Sequence, residues 1–130
     1  MFRCFSSAKQ SELSNPNSEF HFAIIDNQPV AYLKLNFGDA QTELQDTNAL
    51  EIERIYVLQQ HQGLKIGKQL LEFAIQKAAD NGLLYLWLGV WEHNLKAQKF
   101  YKYHGFEVFD SHQFVLGKDE QTDLLMKKLL

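Results

Sequence analysis

Between Gln62 and Lys68 the chain reads Gln-Gly-Leu-Lys-Ile-Gly-Lys, a short turn that mixes glycine with lysine. A turn of this composition, set between a strand and the first turn of a helix, gathers unpaired backbone N–H groups and the positive end of the helix dipole at one point, the chemistry of an anion site. On its own a loop with two glycines is more often an ordinary turn, and the flanking strand and helix are what raise it. Just upstream, Glu51 and Glu53 are carboxylates two residues apart on a strand. Alternation puts Glu51, Glu53, Ile55 and Val57 on one face and Leu50, Ile52, Arg54 and Tyr56 on the other. Downstream come Asn94, which can cap a helix, and Tyr101, whose helical position by itself suits a core aromatic with its hydroxyl at the surface.

The elements that must position these groups are legible nearby. Leu50–Val57 concentrates Ile, Tyr and Val and reads as a strand. Leu70, Leu71, Ala74, Ile75 and Ala78 recur on one helical face, and Gly82 stands where a helix ends. The apolar run 84–90 is the kind of strand covered on both faces, reached through that helix as a parallel crossover. Asn94 opens a second helix that ends near Gly105. Upstream, 20–25 and 30–37 are strand-like runs around Asp26-Asn27-Gln28-Pro29, a hairpin signal, and Gly38–Ala49 reads as a polar surface loop. Residues 106–109 and 124–129 read as two closing strands separated by a charged loop at 117–122. Residues 1–17 are polar and break at Asn15-Pro16-Asn17, so they suggest at most a short helix and a loop.

At the turn the sequence becomes specific. Glu51-Ile52-Glu53-Arg54-Ile55-Tyr56-Val57 followed by Gln62-Gly63-x-x-Ile66-Gly67-Lys68 resembles the acetyl-CoA signature of the GNAT superfamily of N-acetyltransferases, with Lys65 standing where the first glycine of the family motif belongs. Trp87-Leu88-Gly89-Val90-Trp91-Glu92-x-Asn94 and Phe100-Tyr101-x-x-x-Gly105-Phe106 resemble the next strand and the asparagine-to-tyrosine helix. The tail Gly117-x-x-x-Gln121-Thr122-Asp123-Leu124-x-Met126-x-Lys128 narrows the resemblance to PaiA-type bacterial spermidine/spermine N-acetyltransferases, over the chain from about Glu19 onward.

The resemblance implies an α+β fold: a mixed, mostly antiparallel sheet with flanking helices, whose central strands splay to admit a pantetheine arm. Relative to the family, the chain reads as lacking the usual N-terminal strand and helix. That leaves 20–25 as a sheet edge prone to pairing with a second copy, and so predicts a homodimer or a groove completed by a partner. It also implies acetyl-CoA as cosubstrate and no metal. The cofactor would be held by Ile55, Tyr56, Val57, Gln62, Gly63, Leu64, Lys65, Ile66, Gly67, Lys68, Asn94 and Ala97. Tyr101 would protonate the leaving thiolate, and Glu53 would act on the acceptor amine, often through water. A base is useful because an ammonium with a pKa near 10.4 is mostly charged at pH 7, a penalty of roughly 4 to 5 kcal/mol. The bland alternative for Glu53 is a plain ion pair with a basic side chain, and Glu51 is available to hold a polyamine charge. Backbone N–H groups around Ile55–Val57 are candidates for the oxyanion. If position 65 requires a positive φ, Lys65 carries about 1 kcal/mol or more of strain.

Composition bounds the rest. The chain has 130 residues, 45% hydrophobic, with a formal net charge of −3. This is one globular domain, 1–130, with material for a real core, and the resemblance implies that it is an N-acetyltransferase domain. The acidic balance argues against nucleic-acid binding and suits a cationic small-molecule acceptor. Cys4 is the sole cysteine, no signal or membrane span is evident, and a cytoplasmic location is expected. His21, His61, His93, His104 and His112 are scattered and none pairs at helical metal-ligand spacing, so a metal site is not expected. Trp87 and Trp91 are divided between the core and the acceptor mouth without assignment. Two other readings stand beside a polyamine acetyltransferase: transfer to another small amine or a protein N-terminus, and a CoA-binding regulatory module with reduced activity.

Overall fold

Period-2 runs and well-marked helix ends convert directly into structure. A computed structural model of the chain describes residues 3–7, 15–63 and 65–130. The strands are β1 (Arg3–Ser7), β2 (Ser18–Ile25), β3 (Gln28–Phe37), β4 (Ala49–Val57), β5 (Tyr85–Trp91), β6 (Glu107–Leu116) and β7 (Asp119–Leu129), and the helices are α1 (Ile66–Asp80) and α2 (Leu95–Tyr103). They form one sheet in the order β1-β2-β3-β4-β5-β7-β6, an α+β fold in which only the β4–β5 pair is parallel.

Each connection has a local cause. Asp26 and Asn27 both adopt positive φ between Ile25 and Gln28, the mirror-image turn whose twist matches a hairpin, and asparagine and aspartate tolerate it. Both helices end in a glycine of positive φ, Gly82 and Gly105. In each, the following residue donates back across the last turn, Leu83 to the Ala78 carbonyl and Phe106 to the Tyr101 carbonyl, both at 3.0 Å. In α2 this cap also stacks the Phe106 ring edge-on against Tyr101, with ring centres 5.7 Å apart, so the end of the helix fixes the tyrosine.

Both helices cover the same face of the sheet. Leu70, Leu71, Ala74 and Ala78 of α1 are fully buried against Leu33, Leu35, Leu50, Ile52, Leu86 and Leu88, and Tyr101 and Phe106 join the same core. Burial of each large aliphatic chain here contributes about 2 kcal/mol. The opposite face carries a smaller cluster, Ala49, Trp87 and Leu125, with Tyr85 and Phe109 beside it.

Four expectations change. The N-terminal segment contains a strand rather than a short helix: β1 pairs antiparallel with β2 from Arg3↔Ile24 to Ser7↔Phe20, so the expected loss of the N-terminal strand does not hold and β2 is not an edge. Five polar-rich residues give no period-2 signal; what selects them is the open ladder of backbone groups that β2 offers. The remaining residues of that segment lie outside those described. The closing strands are longer than their apolar cores, because β6 and β7 continue as a largely exposed hairpin around Gly117-Lys118, and 119–122 are strand rather than loop. The 38–49 loop is not merely superficial: Gln41 is 2% exposed, accepts from the Trp87 indole at 2.7 Å and donates to the Asp46 and Ala49 carbonyls. Finally, the two faces of β4 are not those of strict alternation. Leu35 lies opposite Ile52 and Lys34 opposite Arg54, so Glu53 is the extra residue of a β-bulge. Beyond it Ile55 and Val57 turn to the helix-side core with Leu50 and Ile52, while Glu51 and Glu53 remain on the other side.

Candidate active site

The parallel pairing of β4 with β5 lasts three residues, Ala49–Glu51 against Tyr85–Trp87, and beyond it the strands part. From the bulge onward β4 has no β5 partner, and two cavities open into the gap. One, of about 480 Å³, lies on the helix side, between Ile55 and Val57, the turn residues Gln62, Gly63, Lys65, Ile66, Gly67 and Lys68, and Lys96 and Phe100 of α2. The other, of about 360 Å³, lies among Tyr32, Ile52, Glu53, Arg54, Tyr56, Leu88, Gly89, Val90 and Trp91. Ile55, Asn94, Ala97 and Tyr101 line both.

The first cavity ends on the N-terminus of α1. The first backbone bond of the helix runs from the Gln69 N–H to the Lys65 carbonyl at 3.1 Å, leaving the N–H groups of Ile66, Gly67 and Lys68 ahead of the ladder. No side chain caps this end, and its first turn carries no acid. An uncapped helix start with lysines on either side is fitted for a phosphate oxygen. A Cβ added at Gly63 would meet nothing, and one at Gly67 would touch only the Phe100 ring at 3.8 Å, so the backbone stays open to a ligand. Lys65 has φ 62°, the left-handed region that glycine fills without strain. Gln62 steadies the turn by donating to the Val57 carbonyl at 3.0 Å. The side chain of Ile66 is buried in the core, so it can serve a ligand only through its backbone. Leu64 lies outside the described residues.

Asn94 caps α2, its Oδ1 accepting from the Ala97 N–H at 3.1 Å, and the residue lines both cavities. Two turns beyond this cap Tyr101 is 8% exposed, and burial pushes the pKa of its hydroxyl up to about 12. The phenol therefore keeps its proton at any physiological pH, as a donor must. Tyr56 is not on the helix side; half exposed, it packs at a tilt against Tyr32 with ring centres 5.8 Å apart and borders the second cavity.

Around the carboxylates the structure adds residues the sequence did not single out. Asn36, fully buried, donates to Glu51 at 3.0 Å and to Glu53 at 2.8 Å. Glu51 also receives the Thr42 N–H at 2.8 Å and the Thr42 hydroxyl at 2.6 Å, so both its oxygens are committed and it holds the 38–49 loop rather than a ligand. The Glu53 carboxylate lies 3.0 Å from the Lys34 ammonium and 3.4 Å from the Arg54 guanidinium. Burial by itself would raise its pKa, but the bonds from Asn36 and Lys34 and the charges of Lys34 and Arg54 outweigh that and hold it below the ordinary carboxylate value. Of the two tryptophans, Trp87 is core at 1% exposed, while Trp91 borders the second cavity at 47% exposed. Strict alternation along β5 puts both on one face, and only the length of the covering layers separates them. Among the described residues no group of three His, Cys, Asp or Glu side chains is placed to hold a metal, and no helix is long and apolar enough to cross a membrane.

The sequence profile of the acetyltransferase (GNAT) family matches residues 2–106. An uncharacterized N-acetyltransferase of Lactobacillus delbrueckii subsp. lactis is 50% identical over 119 residues, spanning 92% of this chain and 69% of that protein. Among solved structures, a GNAT family acetyltransferase from Elizabethkingia anophelis with acetyl-CoA bound superposes with a TM-score of 0.78 at 18% identity, covering 99% of this chain and 98% of that one. The PaiA N-acetyltransferase of Thermoplasma acidophilum in complex with coenzyme A gives 0.69 at 26% identity, over 88% of this chain and 62% of that one.

Proposed function

The chain belongs to the acetyltransferase (GNAT) family and is an acetyl-CoA-dependent N-acetyltransferase, and from that premise we propose that it acetylates a primary amine of a polyamine or a similar small amine by direct attack on the thioester. The observation that carries the reading is the meeting of the two cavities at Tyr101: one is fitted to a phosphate-bearing arm, the other opens on the carboxylate side of the sheet, and the shared wall holds a protonated phenol. Similarity to the PaiA structure and to the PaiA-type tail motif supports the acceptor class.

Acetyl-CoA supplies the acetyl thioester. The N–H groups of Ile66, Gly67 and Lys68, with the ammonium groups of Lys65 and Lys68, are the groups that would hold its pyrophosphate. The β4 edge from Ile55 to Val57, unpaired on the β5 side, and the Asn94 amide would hold the pantetheine amides, and the same β4 N–H groups are the donors for developing oxyanion charge. Glu53 remains ionised wherever an amine can react, so its work is to order a water or orient the amine, with Lys34 and Arg54 holding the carboxylate in place. The carboxylate, held below its ordinary pKa, is a weak base by itself, and the ordered water passes the amine proton to solvent. Tyr101 Oη gives its proton to the sulfur as the C–S bond breaks and is reprotonated from water, since a phenol raised to about 12 holds its proton more tightly than a thiol.

Release of thiol from acetyl-CoA across polyamines, simple amines and peptide N-termini tests this proposal. Turnover is expected with polyamines and small diamines and to be much weaker with peptides. A peptide preference would transfer the acceptor class to protein N-termini, and no turnover with any amine would leave only a CoA-binding module.

A further inference from the structure

The tail motif Gln121-Thr122-Asp123 has no part in the chemistry above, yet it ends beside the reaction cavity. β7 runs antiparallel to β5 with Leu125 opposite Gly89 and Asp123 opposite Trp91, and both of these β5 residues line the second cavity. Gly89 leaves a notch there: a Cβ built on it would lie 3.6 Å from Leu125 Cδ2 and 3.7 Å from Asp123 Oδ2. The Asp123 carboxylate thus sits over Gly89 at the margin of the cavity, cross-strand from the half-exposed Trp91 indole that lines it.

Its electrostatic situation differs from that of the other two carboxylates on this face. Glu51 is saturated by Asn36 and Thr42, and Glu53 is already neutralised by Lys34 and Arg54, so neither is free to bind a cation. The Asp123 carboxylate makes no side-chain hydrogen bond or close ion pair among the described residues, and its electrostatic neighbour is His112, opposite it on β6. Burial raises its pKa, opposed only by the charge of His112 across the hairpin, and the His112 ring is itself engaged by Glu43 at 3.1 Å. A partly buried carboxylate without a hydrogen bond lowers stability, and one beside an open cavity can take that bond from a ligand.

We propose that Asp123, flanked by the Trp91 indole, is the anchor for a second cationic centre of the acceptor, making the enzyme selective for amines that carry a positive charge away from the reacting nitrogen. A carboxylate and an aromatic face side by side are the two groups that recognise an ammonium. The inference rests on the small-amine reading above and narrows it to diamines and polyamines. Asp123 touches the part of the substrate that does not react, so it sets specificity and takes no part in proton transfer.

The test compares α,ω-diaminoalkanes of four to eight carbons with monoamines of the same length, in wild type and in Asp123→Asn. Wild type is expected to favour the diamine in kcat/KM by about tenfold or more at the best length, the usual worth of a hydrogen bond between charged groups, and Asp123→Asn to abolish that preference. The loss should fall on KM for the diamine rather than on kcat. The thermal midpoint of Asp123→Asn should equal or exceed that of wild type, because an unpaired carboxylate has been removed; a purely structural aspartate would lower it and weaken both amines alike. A diamine preference that survives in Asp123→Asn, or a loss shared equally by both amine types, overturns the inference while leaving the polyamine reading intact. Failure of wild type to acetylate any amine in the series overturns both.

Discussion

The two cavities that meet at Tyr101 are built by different means. The helix-side cavity draws on backbone: the start of α1, the bare edge of β4 and the turn between them all lie within 14 consecutive residues, 55–68, completed by one face of α2. The acceptor-side cavity draws on side chains from β3, β4, β5 and α2, with Asn36 and Thr42 binding the carboxylates from outside it. A site made of N–H groups tolerates substitution at its side chains, which is how Lys65 can occupy a left-handed position where the family motif has glycine. A site made of interlocked side chains does not, since Glu51, Glu53, Asn36, Thr42 and Lys34 there satisfy one another.

The contrast can be sharpened first where the two regions share a residue. Tyr101→Phe is expected to cut kcat by about 100-fold, within the usual range for a lost proton donor, while the dissociation constant for acetyl-CoA changes less than twofold. Stopped-flow turnover with a separate binding titration distinguishes this from a packing defect, in which affinity and stability would fall together. Gln41→Ala probes the interlocked side: it strands the buried Trp87 indole N–H and two backbone carbonyls, and denaturant unfolding should register a loss of about 2 kcal/mol.

Glu53→Gln should lower kcat/KM by about tenfold at pH 7, with the gap closing as pH rises and free amine becomes abundant. Its effect on stability has a definite sign. The folded pKa of Glu53 lies below the unfolded one, so its stabilising contribution is complete above the unfolded value of about 4.3 and disappears as pH falls through the lower folded value. The stability difference between wild type and Glu53→Gln should therefore be constant from pH 5 to 8 and shrink below about pH 4; a difference that instead vanished near pH 7 would place the Glu53 pKa above the ordinary range. The smallest effect belongs to the backbone side. Lys65→Gly relieves left-handed strain but gains unfolded-chain entropy, so stability should change by no more than about 1 kcal/mol and acetyl-CoA affinity should hold or improve. A large loss of affinity would mean that the lysine ammonium, rather than the turn's backbone, holds the phosphate.

The same contrast decides what was legible in the sequence. The turn, the α1 face, and the asparagine and glycine that bracket α2 are local patterns, and each of them predicts its element. The bulge at Glu53 shows only as a change of parity, from Leu50 and Ile52 to Ile55 and Val57 across two charged residues, which strict alternation reads as a change of face. Gln41 finds its partner in Trp87, 46 residues away, and nothing in a polar loop announces that one glutamine is buried. β1 is chosen by the open edge of β2 rather than by its own composition. Asp123 was visible as part of a motif, but its lack of a partner is a property of the fold alone.

The most direct measurement is the thermal midpoint of the protein titrated with acetyl-CoA in parallel with ADP, which presents the adenine and pyrophosphate without the pantetheine arm. If the parted strands β4 and β5 receive that arm, acetyl-CoA should raise the midpoint clearly more than ADP at equal concentration, by an amount that grows with the logarithm of ligand once the site is saturated. Equal shifts with the two ligands, or no shift with saturating acetyl-CoA, would contradict the assignment of the gap as the thioester channel.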